Sequence, residues 1–184
     1  LLEQVEQFGN LKPIDPKPLN VHDVIDRARR SAQLGFSAHI IFKEEYDPSL
    51  PLVYGDPDQL LQVFLNLIKN ASEACKNNGK IRLKTSFDHS FRLRRSDGTG
   101  QALPLQIQVC DNGPGLPADI RDEIFDPFVS GKENGTGLGL ALASKIISDH
   151  DGWISVDSTP GNTVFTISLA AVNIKNNSLL NEVS

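Results

Sequence analysis

Asp111-Asn112-Gly113-Pro114-Gly115 and, after a spacer, Gly135-Thr136-Gly137-Leu138-Gly139-Leu140 decide how this chain is read. The first cluster follows an alternating apolar segment (Leu105, Ile107, Val109), so a carboxylate stands where a strand ends. The second opens a helical pattern through Leu140, Ala141, Leu142, Ile146 and Ile147. A helix N-terminus presents unpaired N–H groups and partial positive charge, which suit an anion. Glycine removes the side chain that would hold a phosphate away from that backbone. An acid at a strand end and a glycine-rich helix start are what a nucleotide requires at its two ends.

The chain has 184 residues, 39% hydrophobic and 22% charged, enough for one ordinary domain with a proper core. A net charge of -5 argues against nucleic acid as a partner, since that role shows a basic face. No apolar run approaches the ~20 residues of a membrane span, and no signal-peptide pattern is present. The expectation is a cytoplasmic protein with no membrane contact. Cys75 and Cys110 read as two reduced, partly buried thiols, and no Cys/His cluster has metal-ligand spacing. Methionine is absent even at position 1, so the chain reads as a fragment or processed product.

Outward from the glycine clusters, the pattern divides the chain. Residues 1–12 look like the end of a truncated helix and 13–19, with Pro13, Pro16 and Pro18, like a stiff extended linker. Residues 20–172 form the main domain and the Asn-rich 173–184 a disordered tail. Asn20 caps a helix over 21–34 that Gly35 ends, and Ile40–Phe42 suggests a strand. A short extended piece surrounds Tyr54-Gly55. Asp56-Pro57 starts a helix expected to reach Asn77, with Asn78-Gly79 as its stop. Ile81, Leu83 and Thr85 alternate as a strand, and 88–104 reads as a long hairpin turning at Asp97-Gly98. Residues 118–124 suggest a short helix, and 138–150 a longer one. Trp153–Asp157 and Thr163–Leu169 make a hairpin around Pro160-Gly161.

The helix from residue 57 is largely apolar, yet Gln59, Gln62, Asn66, Asn70 and Glu73 run along it as one polar stripe. An unpaired buried amide costs ~1–3 kcal/mol, so Asn66 and Asn70 need partners. Either they are core amides bonded to neighbouring backbone, or they face a ligand or hydrated ion. Residue pattern alone leaves both open.

Taken with the glycine clusters, the run Leu65-Asn66-Leu67-Ile68-Lys69-Asn70-Ala71 resembles the N box of sensor histidine kinase catalytic domains. Asp111–Gly115 resembles their first glycine box, Phe125-Asp126-Pro127-Phe128 their F box, and Gly135–Leu140 their second glycine box. The resemblance covers about residues 20–170 and extends to the wider gyrase, Hsp90, kinase and MutL ATPase group. Tyr46-Asp47-Pro48-Ser49-Leu50-Pro51, Asp56-Pro57-Asp58-Gln59 and Phe128-Val129-Ser130-Gly131-Lys132-Glu133 resemble the nitrogen-regulation branch. The implied fold is a two-layer α/β sandwich: a mixed sheet with helices on one face and ATP under a lid.

The resemblance also implies roles. Asp111 would accept from the adenine amino group, while Gly113, Gly115 and Leu116 carry backbone past the base. Asn70 would hold Mg²⁺, and Gly135, Thr136, Gly137, Leu138, Gly139 and Leu140 would lie along the phosphates. Lys132 in the lid would reach the phosphate tail; a solvated loop lysine is the alternative. Phe125 and Phe128 would anchor the lid, and Thr163 would offer a hydroxyl near adenine. Asn66, Asn70 and Lys132 are the implied catalytic group. In hydrolytic relatives a Glu stands at the position of Asn66; an amide is no general base, which favours phosphoryl transfer over hydrolysis. Glu73 is a possible substitute base but reads better as a surface residue.

The acceptor histidine of the family lies on a dimerisation hairpin. Of His22, His39, His89 and His150, His22 is followed by an acid, Asp23, but it lacks the expected context. The acceptor is therefore expected outside this chain, on a homodimeric hairpin, with the fragment itself monomeric. The implied partners are a response regulator of the NtrC type and a PII signal protein. A nucleotide-gated protein-binding module and a hydrolytic ATPase are the alternatives.

Overall fold

Strand β7, Leu105–Asp111, runs through the middle of the sheet. In this computed structural model, which describes residues 9, 11–75, 78–94, 98–131 and 135–172, the elements in order are as follows. Strand β1 (Lys17–Leu19) leads into helix α1 (Val21–Leu34), followed by β2 (Ile41–Glu45) and β3 (Val53–Gly55). Helix α2 (Pro57–Ala74) precedes β4 (Lys80–Phe87), and a small hairpin of β5 (Arg92–Arg94) and β6 (Gly100–Ala102) comes before β7. Helix α3 (Gly139–Asp149) is followed by β8 (Trp153–Thr159) and β9 (Asn162–Leu169).

The five-stranded sheet has the order β2-β4-β7-β9-β8. Strands β2 and β4 are parallel and the remaining neighbours antiparallel, so the sheet is mixed. Alternation sends Ile81, Leu83, Ile107, Val109, Phe165 and Ile167 to one face, where they join the core with Val24, Ile25, Phe64, Leu67, Ile68 and Ile146 from the helices. Lys80 and Arg82 alternate outward from the same β4. The expected two-layer α/β sandwich is what forms.

Capping sets the helix starts. The Asn20 side chain accepts from His22 N at 3.0 Å, and Asp56 Oδ1 accepts from Asp58 N at 3.0 Å and Gln59 N at 3.1 Å. Helix α2 ends three residues short of the expected Asn77. Cys75 turns extended (φ -82°, ψ 115°) and its Sγ meets Asn112 Oδ1 at 3.3 Å. Asn78 is left-handed at φ 65°, and a Cβ on Gly79 would lie 2.4 Å from Cys75 Cβ. That close approach is why glycine stands there.

Within the proline-bearing stretch 13–19, Lys17–Leu19 forms a strand, and the stretch is joined to the domain. Strand β1 pairs antiparallel with β3, Lys17 opposite Gly55 and Leu19 opposite Val53. Asp15 N donates to Asp56 Oδ2 at 3.0 Å, and Gln59 Nε2 donates to the Lys12 carbonyl at 2.9 Å. The long hairpin expected over 88–104 is shorter, with β5 and β6 pairing through three residues each, and Asp97 of its expected turn lies outside the described residues. The short helix over 118–124 is one 3-10 turn, Arg121–Glu123. Of the helix end expected over 1–12, residues 1–8 and 10 lie outside the described residues, as does the tail 173–184. Among the described residues, no helix is long and apolar enough to cross a membrane.

His22 is a structural side chain. Its Nε2 lies 2.8 Å from Thr85 Oγ1, and its ring stacks on Tyr46 at a centroid distance of 4.8 Å. Burial pulls its pKa below 6.5, outweighing Asp26, Asp23 and Asp47, whose charges raise it. A histidine with a depressed folded pKa contributes stability that is present above the unfolded pKa and lost as pH falls through the folded one. Urea denaturation at pH 7.5 and pH 5 should therefore show wild type losing stability on acidification, and His22→Asn losing less.

Candidate nucleotide site

The sheet register gathers the strand-end acid and its neighbours. Asp111, 4% exposed, lies opposite Ile81 on β4 and Thr163 on β9. Its Oδ1 accepts from Gly113 N at 2.8 Å, so the carboxylate and the first glycine fold back on each other. A Cβ on Gly113 would come within 2.8 Å of that oxygen and 3.0 Å of Ala74 Cβ. A carboxylate has acceptor capacity beyond one such bond and no donor, which suits an exocyclic amine. Asn112 closes the strand end, its Oδ1 accepting from Lys80 N at 2.8 Å. A cleft of about 340 Å³ lies beside this loop, lined by Ala74, Cys75, Asn112, Gly113 and Pro114 among others.

The loop then packs on the β8–β9 hairpin. Gly115 is left-handed at φ 89°, and a Cβ there would lie 3.1 Å from the Thr159 carbonyl carbon and oxygen. Leu116 N donates to Ser158 Oγ at 2.8 Å, and Ser158 Oγ lies 2.9 Å from Thr163 Oγ1. Gly161 N donates to the Gly113 carbonyl at 2.8 Å. Sequence reading singled out Thr163 but not Ser158; its place just before the Thr159-Pro160-Gly161 turn was its one signal.

The second glycine cluster meets helix α2. Asn66 Nδ2 donates to the Gly139 carbonyl at 3.1 Å, and Asn70 stands one turn further along the same helix. For Asn66, then, the partner is backbone, and that backbone belongs to the glycine-rich helix start. Leu138 N lies 3.5 Å from Thr136 Oγ1, and Leu138 begins α3 without a side-chain cap. Leu140 is buried, which puts its side chain in the core and leaves only its backbone for a ligand. Glu73 lies 4.0 Å from Lys69 in an exposed i,i+4 pair, a surface role.

Between the clusters, the two phenylalanines part company. Phe125 packs edge-on against Phe165 at 6.2 Å and anchors its segment to the core. Phe128, expected to do the same, is 71% exposed. Its backbone is left-handed at φ 69° and its N–H donates to the Gly137 carbonyl at 3.1 Å, which turns the ring outward. Gly137 is itself at φ 67°, with room for no side chain: a Cβ would lie 2.5 Å from the Phe128 carbonyl carbon. Lys132 and Gly135's predecessor Asn134 lie outside the described residues.

A larger depression, about 470 Å³, lies among Ile41, Lys43, Lys80, Arg82, Asp111 and Asn162, and no residue of α2 or α3 lines it. The helical side offers the fuller donor set for a nucleotide. There, a buried acceptor, a glycine loop and an uncapped helix start lie along one path.

Residues 55–173 match the family described as histidine kinase-, DNA gyrase B- and HSP90-like ATPases. The chain belongs to this ATPase family. The catalytic domain of histidine kinase ThkA, in a nucleotide-free form, superposes with a TM-score of 0.69 at 27% identity, covering 84% of this chain and 95% of that one. A mycobacterial sensor histidine kinase, MprB, gives 0.67 at 25% identity over 84% of this chain and 96% of its own. Sensory histidine kinase/phosphatase NtrB of Rhodobacter capsulatus is 68% identical over 169 residues, 92% of this chain and 48% of that protein. NtrB of Azospirillum brasilense is 50% identical over 92% of this chain and 43% of its own length. The chain thus spans about half the length of these relatives.

Within this family fold, Gly137 is the point where the backbone at Phe128 meets the segment entering α3. Gly137→Ala should weaken ATP binding at least tenfold by calorimetry, about 1.4 kcal/mol or more. The thermal midpoint should move by only a few degrees, since the strand pairs and core are distant.

Proposed function

We propose that this chain is the ATP-binding catalytic domain of a two-component sensor histidine kinase of the nitrogen-regulation type. The observation that carries the reading is the pairing of a buried Asp111 carboxylate at the strand end with an amide, Asn66, on the helix facing the second glycine cluster. The first suits adenine. The second leaves the helix without a carboxylate where a hydrolase would hold its water-activating base.

In this reading Asp111 accepts from the adenine amino group, and guanine, which presents a carbonyl there, is repelled. Gly113, Gly115 and Leu116 carry the backbone past the base. The N–H groups from Gly137 to Leu140 meet the phosphates at the start of α3. Lys132 from the lid supplies a countercharge. Asn70, one turn along α2 from Asn66, offers a neutral amide oxygen, which suits a magnesium ion already carrying phosphate and water. When bound, that ion neutralises the charge on the phosphates.

The acceptor is a histidine on a dimerisation hairpin preceding this domain. Its ring nitrogen attacks the γ-phosphorus, the bond to the β–γ bridging oxygen breaks, and ADP leaves. The phosphoryl group then passes to a response regulator of the NtrC type, with a PII signal protein as regulator and a homodimer as the working assembly. The likeness to NtrB proteins supports this branch.

Asp111→Asn tests the nucleotide site. The substitution places an amide donor against the adenine amine, and calorimetry should show ATP affinity falling at least a hundredfold, about 2.7 kcal/mol. Unchanged affinity would remove Asp111 from its assigned role.

A further inference from the structure

The bonds around Ser158 form a relay that no assigned role uses. Ser158 is 5% exposed and sits on β8, one strand removed from the end of β7. Its Oγ accepts the Leu116 N–H at 2.8 Å and shares a hydrogen bond with Thr163 Oγ1 at 2.9 Å. Thr163, 3% exposed, is the register partner of Asp111. One hydroxyl therefore connects the end of the first glycine loop to the hydroxyl beside the strand-end acid.

Two further contacts show that the loop is clamped to this hairpin rather than resting near it. Gly161 N donates to the Gly113 carbonyl at 2.8 Å, and Gly115 approaches Thr159 so closely that a Cβ would stand 3.1 Å from its carbonyl. These fix the loop's height. They do not orient a side chain. Orientation of the Thr163 hydroxyl falls to Ser158.

We propose that Ser158 is a positioning residue for base recognition: it fixes the Thr163 hydroxyl and the Leu116 backbone so that both present a single face to the purine beside Asp111. Ser158 Oγ accepts the Leu116 N–H and keeps a second lone pair and its proton, so either hydroxyl can donate across the 2.9 Å to the other, Ser158 Oγ or Thr163 Oγ1. In both cases a hydroxyl rotor that would otherwise sample three wells is held in one. Bonds joined in this way polarise one another. Ser158 does not touch the nucleotide; it acts through Thr163 and Leu116. The proposal rests on the adenine-site reading given above.

The test is a double-mutant cycle on ATP affinity, measured by calorimetry with Ser158→Ala, Thr163→Val and the double variant, each checked by thermal unfolding. Wild type should bind ATP. Ser158→Ala should bind about tenfold more weakly, and the same substitution made in Thr163→Val should cost less than threefold. Purine riboside triphosphate, which lacks the amino group that Asp111 reads, should lose affinity with Ser158→Ala by the same factor as ATP. Additive losses in the cycle, or unchanged ATP affinity in Ser158→Ala, would overturn the positioning role while leaving the nucleotide site standing. Failure of wild type to bind any adenine nucleotide would overturn the site itself. Should Ser158→Ala not fold, Ser158→Cys, which keeps the volume but weakens both bonds, is read in the same cycle with the same criteria.

Discussion

The Asn66 amide donating to the Gly139 carbonyl at 3.1 Å fastens two helices where both meet the glycine-rich backbone. Helix α2 buries one full face and half-buries most of the rest, so a polar side chain turned inward must find a partner or pay desolvation of ~1–3 kcal/mol. By choosing the first residue of α3, Asn66 fixes how the uncapped start of that helix is presented. In the proposed function, the phosphate contacts depend on that placement. An acid at the same position could not donate to a carbonyl; the bond itself argues for an amide.

At their far ends the same two helices are joined again. His150, just past α3, accepts the Asp56 N–H on Nε2 at 2.9 Å while its Nδ1 lies 2.7 Å from the Ile146 carbonyl. Asp56 in turn caps α2 and accepts from Asp15. Burial works against its ionised form, but the N–H donations from Asp15, Gln59 and Asp58 hold its pKa below the usual carboxylate value. The segment entering the domain is thus bonded to the helix that carries Asn66 and Asn70.

Much of this was legible in the chain because it is local. Asn20 and Asp56-Pro57 mark helix starts through bonds made within three residues, and both boundaries fall where expected. Alternation exposes the strands, and the polar stripe on α2 identifies side chains that need partners. What was hidden depends on residues distant in sequence. Three prolines make 13–19 look like free linker, while the partner of Lys17–Leu19 lies at Val53–Gly55. Helix α2 stops at Ala74 because Gly79 and Asn112 crowd its end. Phe128 looks like a lid anchor until Gly137 claims its backbone and turns it outward. Ser158 reads as one polar residue on an edge strand; its use appears only when β8 and β9 are folded over the first glycine loop.

In the proposed function this fold holds a phosphoryl donor for a histidine elsewhere and does not spend ATP on water. The direct measurement supplies the chain with γ-labelled ATP, magnesium and a separately prepared dimerisation hairpin carrying the acceptor histidine. Label should accumulate on the hairpin in an acid-labile, base-stable linkage, with little free phosphate. Sustained phosphate release with an unlabelled hairpin, abolished by Glu73→Gln, would contradict the account and make the domain a hydrolase.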